Sequence, residues 1–226
     1  MTKDLSEPAV IVNFKAYSEV EGTKALDLAK LCLAVSEESG KIISVCPPMT
    51  ELGIVARSVD IPVLSQNVDP KTPGSATGWT TPSMVKVCGA MGTLINHSEH
   101  KVSFDVVREC VELSRKCGLV TVVCADNVKA AVDLASCHPD FIAVEPPELI
   151  GGDISVTTAN PKIVKDTVDS VKSVDDSISV LCGAGVKTGE DVKIALELGA
   201  SGVLLASGVV KSKDPKKTLF DLIKHL

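Results

Sequence analysis

Eight short apolar runs, spaced by longer segments of helical period, constrain the fold of this chain more than any other feature. The runs are residues 10–14, 42–46, 62–66, 91–95, 119–124, 141–144, 178–182 and 202–206. Most are rich in Val and Ile, and many lack apolar–polar alternation, the pattern of strands covered on both faces in a parallel sheet. Between them lie helical candidates. Residues 18–39 place Val20, Leu28, Leu31 and Val35 along a helix, and 103–117 do the same with Val106, Val107, Cys110 and Leu113 behind a Ser103 N-cap. Residues 127–137, 160–173, 188–198 and 215–226 follow the same plan. Asn160-Pro161 and Asp214-Pro215 are N-cap-plus-N1 signals, and Gly40, Gly118 and Gly199 read as helix stops.

Strand–helix alternation repeated eight times predicts an α/β fold, a (β/α)8 barrel of eight parallel strands with outer helices. An open doubly wound sheet normally has fewer repeats. No domain boundary or low-complexity tract interrupts residues 1–226, so a single barrel domain is expected. At 226 residues the chain falls short of the roughly 250 typical of such barrels, which predicts that some helices are trimmed. The longest irregular stretch, 67–82, carries Pro70, Pro73, Gly74 and Gly78. A loop of that length in a compact domain is usually functional or an oligomer contact. With few apolar residues and several turn formers, it is not expected to order without a partner surface.

Composition removes several function classes. Apolar residues make up 45% of the chain, enough for a sizeable core, while a net charge of −6 and 3% aromatic residues offer neither the basic patch nor the stacking rings of a nucleic-acid binder. The opening Met1-Thr2-Lys3-Asp4-Leu5-Ser6-Glu7 has no hydrophobic signal region, and no apolar run approaches the roughly 18 residues that span a membrane. Eight cysteines are present without a Cys-x-x-Cys pair; Cys46, Cys124 and Cys182 each close an apolar run. They read as buried free thiols of a cytoplasmic protein rather than zinc ligands or disulfides.

Residues able to do chemistry gather where the strand runs end. Asn13-Phe14-Lys15 closes the first run, and residues two apart share a face of a strand, so Asn13 and Lys15 both point into a barrel mouth. A lysine there presents positive charge to an anionic substrate, or simply reaches solvent. Asn96-His97-Ser98-Glu99 follows the fourth run. Ser98 begins a short turn before the helix that Ser103 starts, and the positive end of a helix favours a neutral His97 imidazole. Glu145 follows the sixth run and is trailed by Pro146-Pro147 and, after Glu148-Leu149-Ile150, by Gly151-Gly152. A carboxylate at a strand end, backed by a stiff hinge and a glycine-terminated loop, suggests a general base under a movable lid. After runs seven and eight, Gly183-Ala184-Gly185 and Ala206-Ser207-Gly208 expose backbone N–H groups suited to a phosphate, although glycine also simply makes turns.

Lysine after run one, histidine after run four, glutamate after run six and small-residue loops after runs seven and eight all fall at C-terminal strand ends, where this architecture places catalytic groups. In that combination the chain closely resembles the triosephosphate isomerase family, especially its short archaeal branch. The matching stretches are Asn13-Phe14-Lys15, Leu94-Ile95-Asn96-His97-Ser98-Glu99, Ala143-Val144-Glu145-Pro146-Pro147-Glu148-Leu149-Ile150-Gly151, Cys182-Gly183-Ala184-Gly185 and Leu205-Ala206-Ser207-Gly208-Val209-Val210. They occur in family order and span nearly the whole chain.

The resemblance implies cofactor-independent and metal-independent interconversion of glyceraldehyde 3-phosphate and dihydroxyacetone phosphate through an enediolate, in glycolysis and gluconeogenesis. By resemblance Glu145 is the base, His97 the neutral electrophile, and Lys15 the stabiliser of the anionic substrate, with Asn13 fixing its oxygens. Glu99 supports the lysine. Ile150 and Gly151 of the lid, together with Gly185, Ala206 and Ser207, bind the phosphate end. The family is itself a general illustration of a carboxylate base paired with a neutral histidine under a lid. It also assembles through the loop after strand three, which implies a homodimer or homotetramer in which Thr77, within Gly74-Ser75-Ala76-Thr77-Gly78, approaches the neighbour's Lys15, with Trp79 at the interface. One departure stands out: the common lid ending Gly-Thr-Gly reads Gly151-Gly152-Asp153 here, putting a negative charge near the phosphate pocket.

Two rival readings share the same residues. Another phosphate-binding barrel enzyme, an aldolase or a biosynthetic isomerase of a sugar phosphate, is the first, and a Schiff-base aldolase would place its lysine in a desolvated pocket. A phosphate-binding barrel that has lost turnover would lack Lys15, His97 or Glu145, and all three are present.

Overall fold

The computed structural model describes Leu5, residues 9–146 and residues 156–226. The strands are β1 (Ala9–Asn13), β2 (Ile43–Cys46), β3 (Leu64–Ser65), β4 (Gly92–Ile95), β5 (Val120–Ala125), β6 (Phe141–Val144), β7 (Ser179–Cys182) and β8 (Gly202–Leu205). All pairings are parallel, in the order β2-β1-β8-β7-β6-β5-β4-β3. A parallel bridge between Val45 and Val63 joins the two ends of that order and closes the barrel. All eight apolar runs became strands of a (β/α)8 barrel.

Strand alternation sorts each run into two cores. Ile11, Leu64, Leu94, Val122, Ala143, Leu181 and Leu204 fill the barrel interior. Val10, Val12, Val45, Val123, Ile142, Val180 and Val203 face the helices outside. Both faces are apolar, which is why the sequence shows little alternation. Leu5, only 4% exposed, packs with Phe141 in the interior core and plugs the N-terminal end of the barrel.

The helices are α1 (Thr23–Ser39), α2 (Leu52–Ser58), α3 (Pro82–Val87), α4 (Phe104–Lys116), α5 (Val128–Ala135), α6 (Val156–Ala159), α7 (Pro161–Val174), α8 (Gly189–Glu197), α9 (Ser207–Val210) and α10 (Pro215–Ile223). Side-chain caps at Ser103, Asn127, Thr188 and Asp214 accept from backbone N–H groups of the first turn. Gly40, Gly118 and Gly199 take φ of 68°, 67° and 93°, the left-handed stops that only glycine adopts freely.

Three local expectations need correction. The helix expected over 18–39 is a single 3₁₀ turn (Ser18–Val20) followed by α1, because Gly22 between them sits at φ 62°. Asn160 precedes α7 but makes no side-chain cap, so Pro161 alone marks that start. Four helices had no signal: α2, α3, α6 and α9 run only 4–7 residues. At two turns or fewer the 3.6-residue period cannot register.

The loop after β3 also differs from expectation, because it carries its own braces. Asp69 N–H donates to Thr80 O at 2.8 Å, and Thr80 N–H donates to Asp69 Oδ2 at 2.6 Å. Lys71 Nζ stands 4.8 Å from the Trp79 ring centroid, a cation–π contact. A clasped base and a cation–π contact below the tip brace the loop within the single chain.

Candidate active site

The inward face of each strand delivers its last residue to the C-terminal mouth. On β6 the inward series Phe141, Ala143 continues to Glu145, and on β1 Ile11 continues to Asn13. One cavity at this mouth is lined by Asn13, Lys15, His97, Glu145, Gly185, Ala206 and Ser207. Seven of the expected site residues are thus brought together. Glu99 sits at the rim, its side chain 58% exposed. Thr77 is exposed at the tip of the loop after β3 and does not line this cavity. Ile150 and Gly151 lie outside the described residues, as do Pro147 and Gly152 of the expected hinges and the departure at Asp153.

Lys15 reaches the cavity by a route other than strand alternation. β1 ends at Asn13, and Lys15 turns in through a left-handed backbone, φ 52°. Such a conformation costs a non-glycine residue about 1–3 kcal/mol and needs support from outside. Its N–H donates to Asn13 Oδ1 at 2.9 Å, and its carbonyl accepts from Gln66 Nε2 at 2.9 Å. Gln66 also donates to Cys46 O at 3.0 Å, tying the turn to β2. The ammonium pairs with Glu99 Oε1 at 2.8 Å.

Asn96, at φ 63°, is the second strained residue of the mouth. Its side chain donates to Cys124 O at 2.9 Å and accepts from Val102 N–H at 3.1 Å, which fixes the backbone just before His97. Glu99 N–H donates to His97 Nδ1 at 3.1 Å. With Nδ1 accepting, the neutral ring carries its proton on Nε2. Nε2 is 3.6 Å from Glu145 Oε1. Burial first, then the Lys15 charge, pushes the imidazole pKa down to about 4. The segment from Ser98 is the expected short turn, and α4 begins at Phe104 behind the Ser103 cap.

Glu145 is 4% exposed, and its Oε2 has no hydrogen-bond partner. Burial pushes its pKa up to about 7, against the opposing effects of the Cys124 thiol and the Lys15 and Lys101 charges. A buried carboxylate with one unsatisfied oxygen facing a cavity is a strong proton acceptor. Gly183 makes room for it: a Cβ there would come within 2.5 Å of Glu145 Cγ. The small-residue loop after β7 therefore makes room for the carboxylate. Gln66, the contact of Cys124 with Glu145 and the Lys101–Asp126 ion pair at 2.5 Å went unread in the sequence. Each acts through a contact between distant strands, and no local motif marks it.

All eight cysteines are free, and Cys46, Cys124 and Cys182 are fully buried, with pKa values raised by burial. Among the described residues no helix is long and apolar enough to cross a membrane.

A sequence model of the triosephosphate isomerase family matches residues 8–226. The triosephosphate isomerase of Methanopyrus kandleri is 49% identical over 228 aligned positions, covering 98% of this chain and 99% of the relative. That of Methanocaldococcus jannaschii is 46% identical over 217 positions, covering 96% and 99%. That of Methanosarcina acetivorans is 42% identical over 220 positions, covering 97% and 99%.

Proposed function

The chain belongs to the triosephosphate isomerase family, and from that premise we propose that it interconverts glyceraldehyde 3-phosphate and dihydroxyacetone phosphate. One observation carries the assignment of roles. A buried Glu145 carboxylate and the protonated Nε2 of a neutral His97 meet 3.6 Å apart at a cavity that Lys15 also lines.

The chemistry follows from those positions. Glu145 takes the proton from the carbon beside the carbonyl, and the C–H electron pair moves into the enediolate. His97 Nε2–H hydrogen-bonds the oxygen on which charge develops, and the Lys15 ammonium stabilises the anion. Glu145 then returns the proton to the neighbouring carbon, and the hydroxyl proton passes between oxygens by way of His97. The carbonyl carbon is reduced as its neighbour is oxidised within one molecule, so no external oxidant or reductant enters, and His97 and Lys15 supply the stabilisation of the enediolate without cofactor or metal. Asn13 holds the substrate oxygens. Gly185, Ala206 and Ser207, with Ile150 and Gly151, receive the phosphate.

A Schiff-base aldolase is disfavoured because Lys15 is held as an ion pair with Glu99 rather than isolated in an apolar pocket. We further infer a cytoplasmic homo-oligomer, a dimer or tetramer serving glycolysis and gluconeogenesis. In it the loop spanning 67–82 packs against the neighbour's active-site mouth, and Thr77 meets the partner's Lys15. The braced loop, with Trp79 46% exposed on the single chain, supports this arrangement. A coupled assay with glyceraldehyde 3-phosphate on purified protein tests the activity. Lack of turnover by well-folded protein would defeat it, and trapping of a substrate adduct by borohydride would favour the aldolase.

A further inference from the structure

The end of β5 lends no side chain to the cavity, yet both reacting groups are tied to it. Glu145 N–H donates to Ala125 O at 2.8 Å. Asn96, just before His97, donates its side-chain amide to Cys124 O at 2.9 Å. A third tie reaches the next residue along: Lys101 Nζ lies 2.5 Å from Asp126 Oδ1. Residues 124–126 therefore hold both the base and the turn that carries the electrophile.

The Asp126 end of that third tie is firm. Its neighbour Asn127 caps α5, with Oδ1 accepting from Ala130 N–H at 2.9 Å. The Lys101 end belongs to the His97 turn, which closes on itself. His100 N–H donates to His97 O at 2.7 Å, and Val102 N–H donates to Asn96 Oδ1 at 3.1 Å. Glu99, inside the same turn, pairs with Lys15 on the β1 side. Lys101 and Asp126 hold the turn from the β5 side. Burial dominates the shifted pKa values of His97 and Glu145; the Lys101 charge adds to it at the imidazole and opposes it at the carboxyl. With side chains 37% and 34% exposed, the pair is too wet to contribute much to the fold. Its effect is on alignment, to which proton transfer is steeply sensitive. Building on the isomerase reading, we propose that Lys101 and Asp126 are positioning residues for the proton transfer, their ion pair locking the turn that carries His97 to the strand end that holds Glu145.

The test compares the full chain with Lys101→Met, Asp126→Asn, the double variant and Lys101→Arg, with Lys101→Gln replacing the Met variant should that fold poorly. Kinetics with glyceraldehyde 3-phosphate are read at about pH 9, well above the Glu145 pKa of about 7, so that the base is ionised in every variant. There kcat should fall about fivefold in each single variant and by the same factor in the double, the most that one half-exposed ion pair can hold, with KM little changed. Lys101→Arg should restore it. Imidazole 15N resonances, with that of His97 assigned by its loss in His97→Gln, read the ring without turnover. The parent should show one neutral tautomer protonated on Nε2, and the Met and Asn variants a mixture, as the Glu99 N–H contact to Nδ1 loosens. Folded single variants that keep the parent's kcat and His97 resonance overturn the proposal. So does a double variant whose loss is the product of the single losses, since the two residues would then act separately. A parent whose His97 resonance responds to these substitutions but which turns over no substrate would defeat the isomerase reading alone.

Discussion

Glu145 is held where a carboxylate is costly, and that cost has two measurable consequences. Its pKa of about 7 lies above the ordinary 4.5, so the base is fully ionised only above neutrality. The kcat/KM should therefore fall about tenfold per pH unit on the acid side of about pH 7. His97, neutral down to about pH 4, should not set that limb. A pH profile of kcat/KM that is flat from about pH 5 to 8 would contradict this assignment. The second consequence is for stability. Between the unfolded and folded pKa values the folded chain holds more protons, so this group lowers stability as pH rises through that window. Glu145→Gln should then be inactive yet more stable by roughly 2–3 kcal/mol above about pH 8, with the gain fading toward about pH 4.5. His97 acts in the opposite sense, weakening the fold as pH falls from about 6.5 toward its folded value of about 4. Paired urea titrations of parent and variant at several pH values isolate the glutamate. Retracting the carboxylate by one methylene in Glu145→Asp should keep the fold and slow turnover at least about a hundredfold, as displacements near 1 Å do.

At the scale of elements, the site depends on how loops are pinned at their ends. Thr188 and Asp191 form a reciprocal capping box: Thr188 N–H and Oγ1 both donate to Asp191 Oδ2, at 2.9 and 2.8 Å, and Asp191 N–H donates to Thr188 Oγ1 at 3.3 Å. The same Asp191 oxygen holds the Lys187 backbone. Thr188→Ala should cost about 1 kcal/mol in urea denaturation, and it should also weaken phosphate binding, because the loop after β7 loses part of its anchor. A stability loss with phosphate affinity unchanged would show that the cap serves α8 alone. The two left-handed residues, Lys15 and Asn96, show the same principle at the first and fourth strands. Each strained turn is held by hydrogen bonds from outside its own strand, through Gln66 in one case and to Cys124 in the other.

For the whole molecule, the loop spanning 67–82 is the element expected to join copies of the chain. Its internal braces mean that it would meet a partner already shaped, at a lower ordering cost. The parent chain should sediment as at least a dimer at micromolar concentration. Deleting residues within 74–78 should leave a folded monomer with poor activity, because Lys15 and His97 would lose lateral support. A fully active monomeric parent would remove the loop from the account of the site.

Local signals carried much of this protein's design. Apolar runs with β-branched residues announced eight strands, and Ser103, Asn127, Thr188 and Asp214 announced helix starts, because each signal is complete within a few residues of chain. That Lys15, His97 and Glu145 meet at one cavity was legible for a related reason: each follows an apolar run that marks a strand end, and their order matches a known family. Tertiary structure decided what depends on distant neighbours. Only folding placed Gln66 over the Lys15 carbonyl, set Gly183 against Glu145 and closed β2 against β3 through Val45 and Val63. The pKa values belong to the same group, since burial sets the largest part of both shifts. Burial and through-space charge are properties of the packed barrel, and sequence spacing does not encode them.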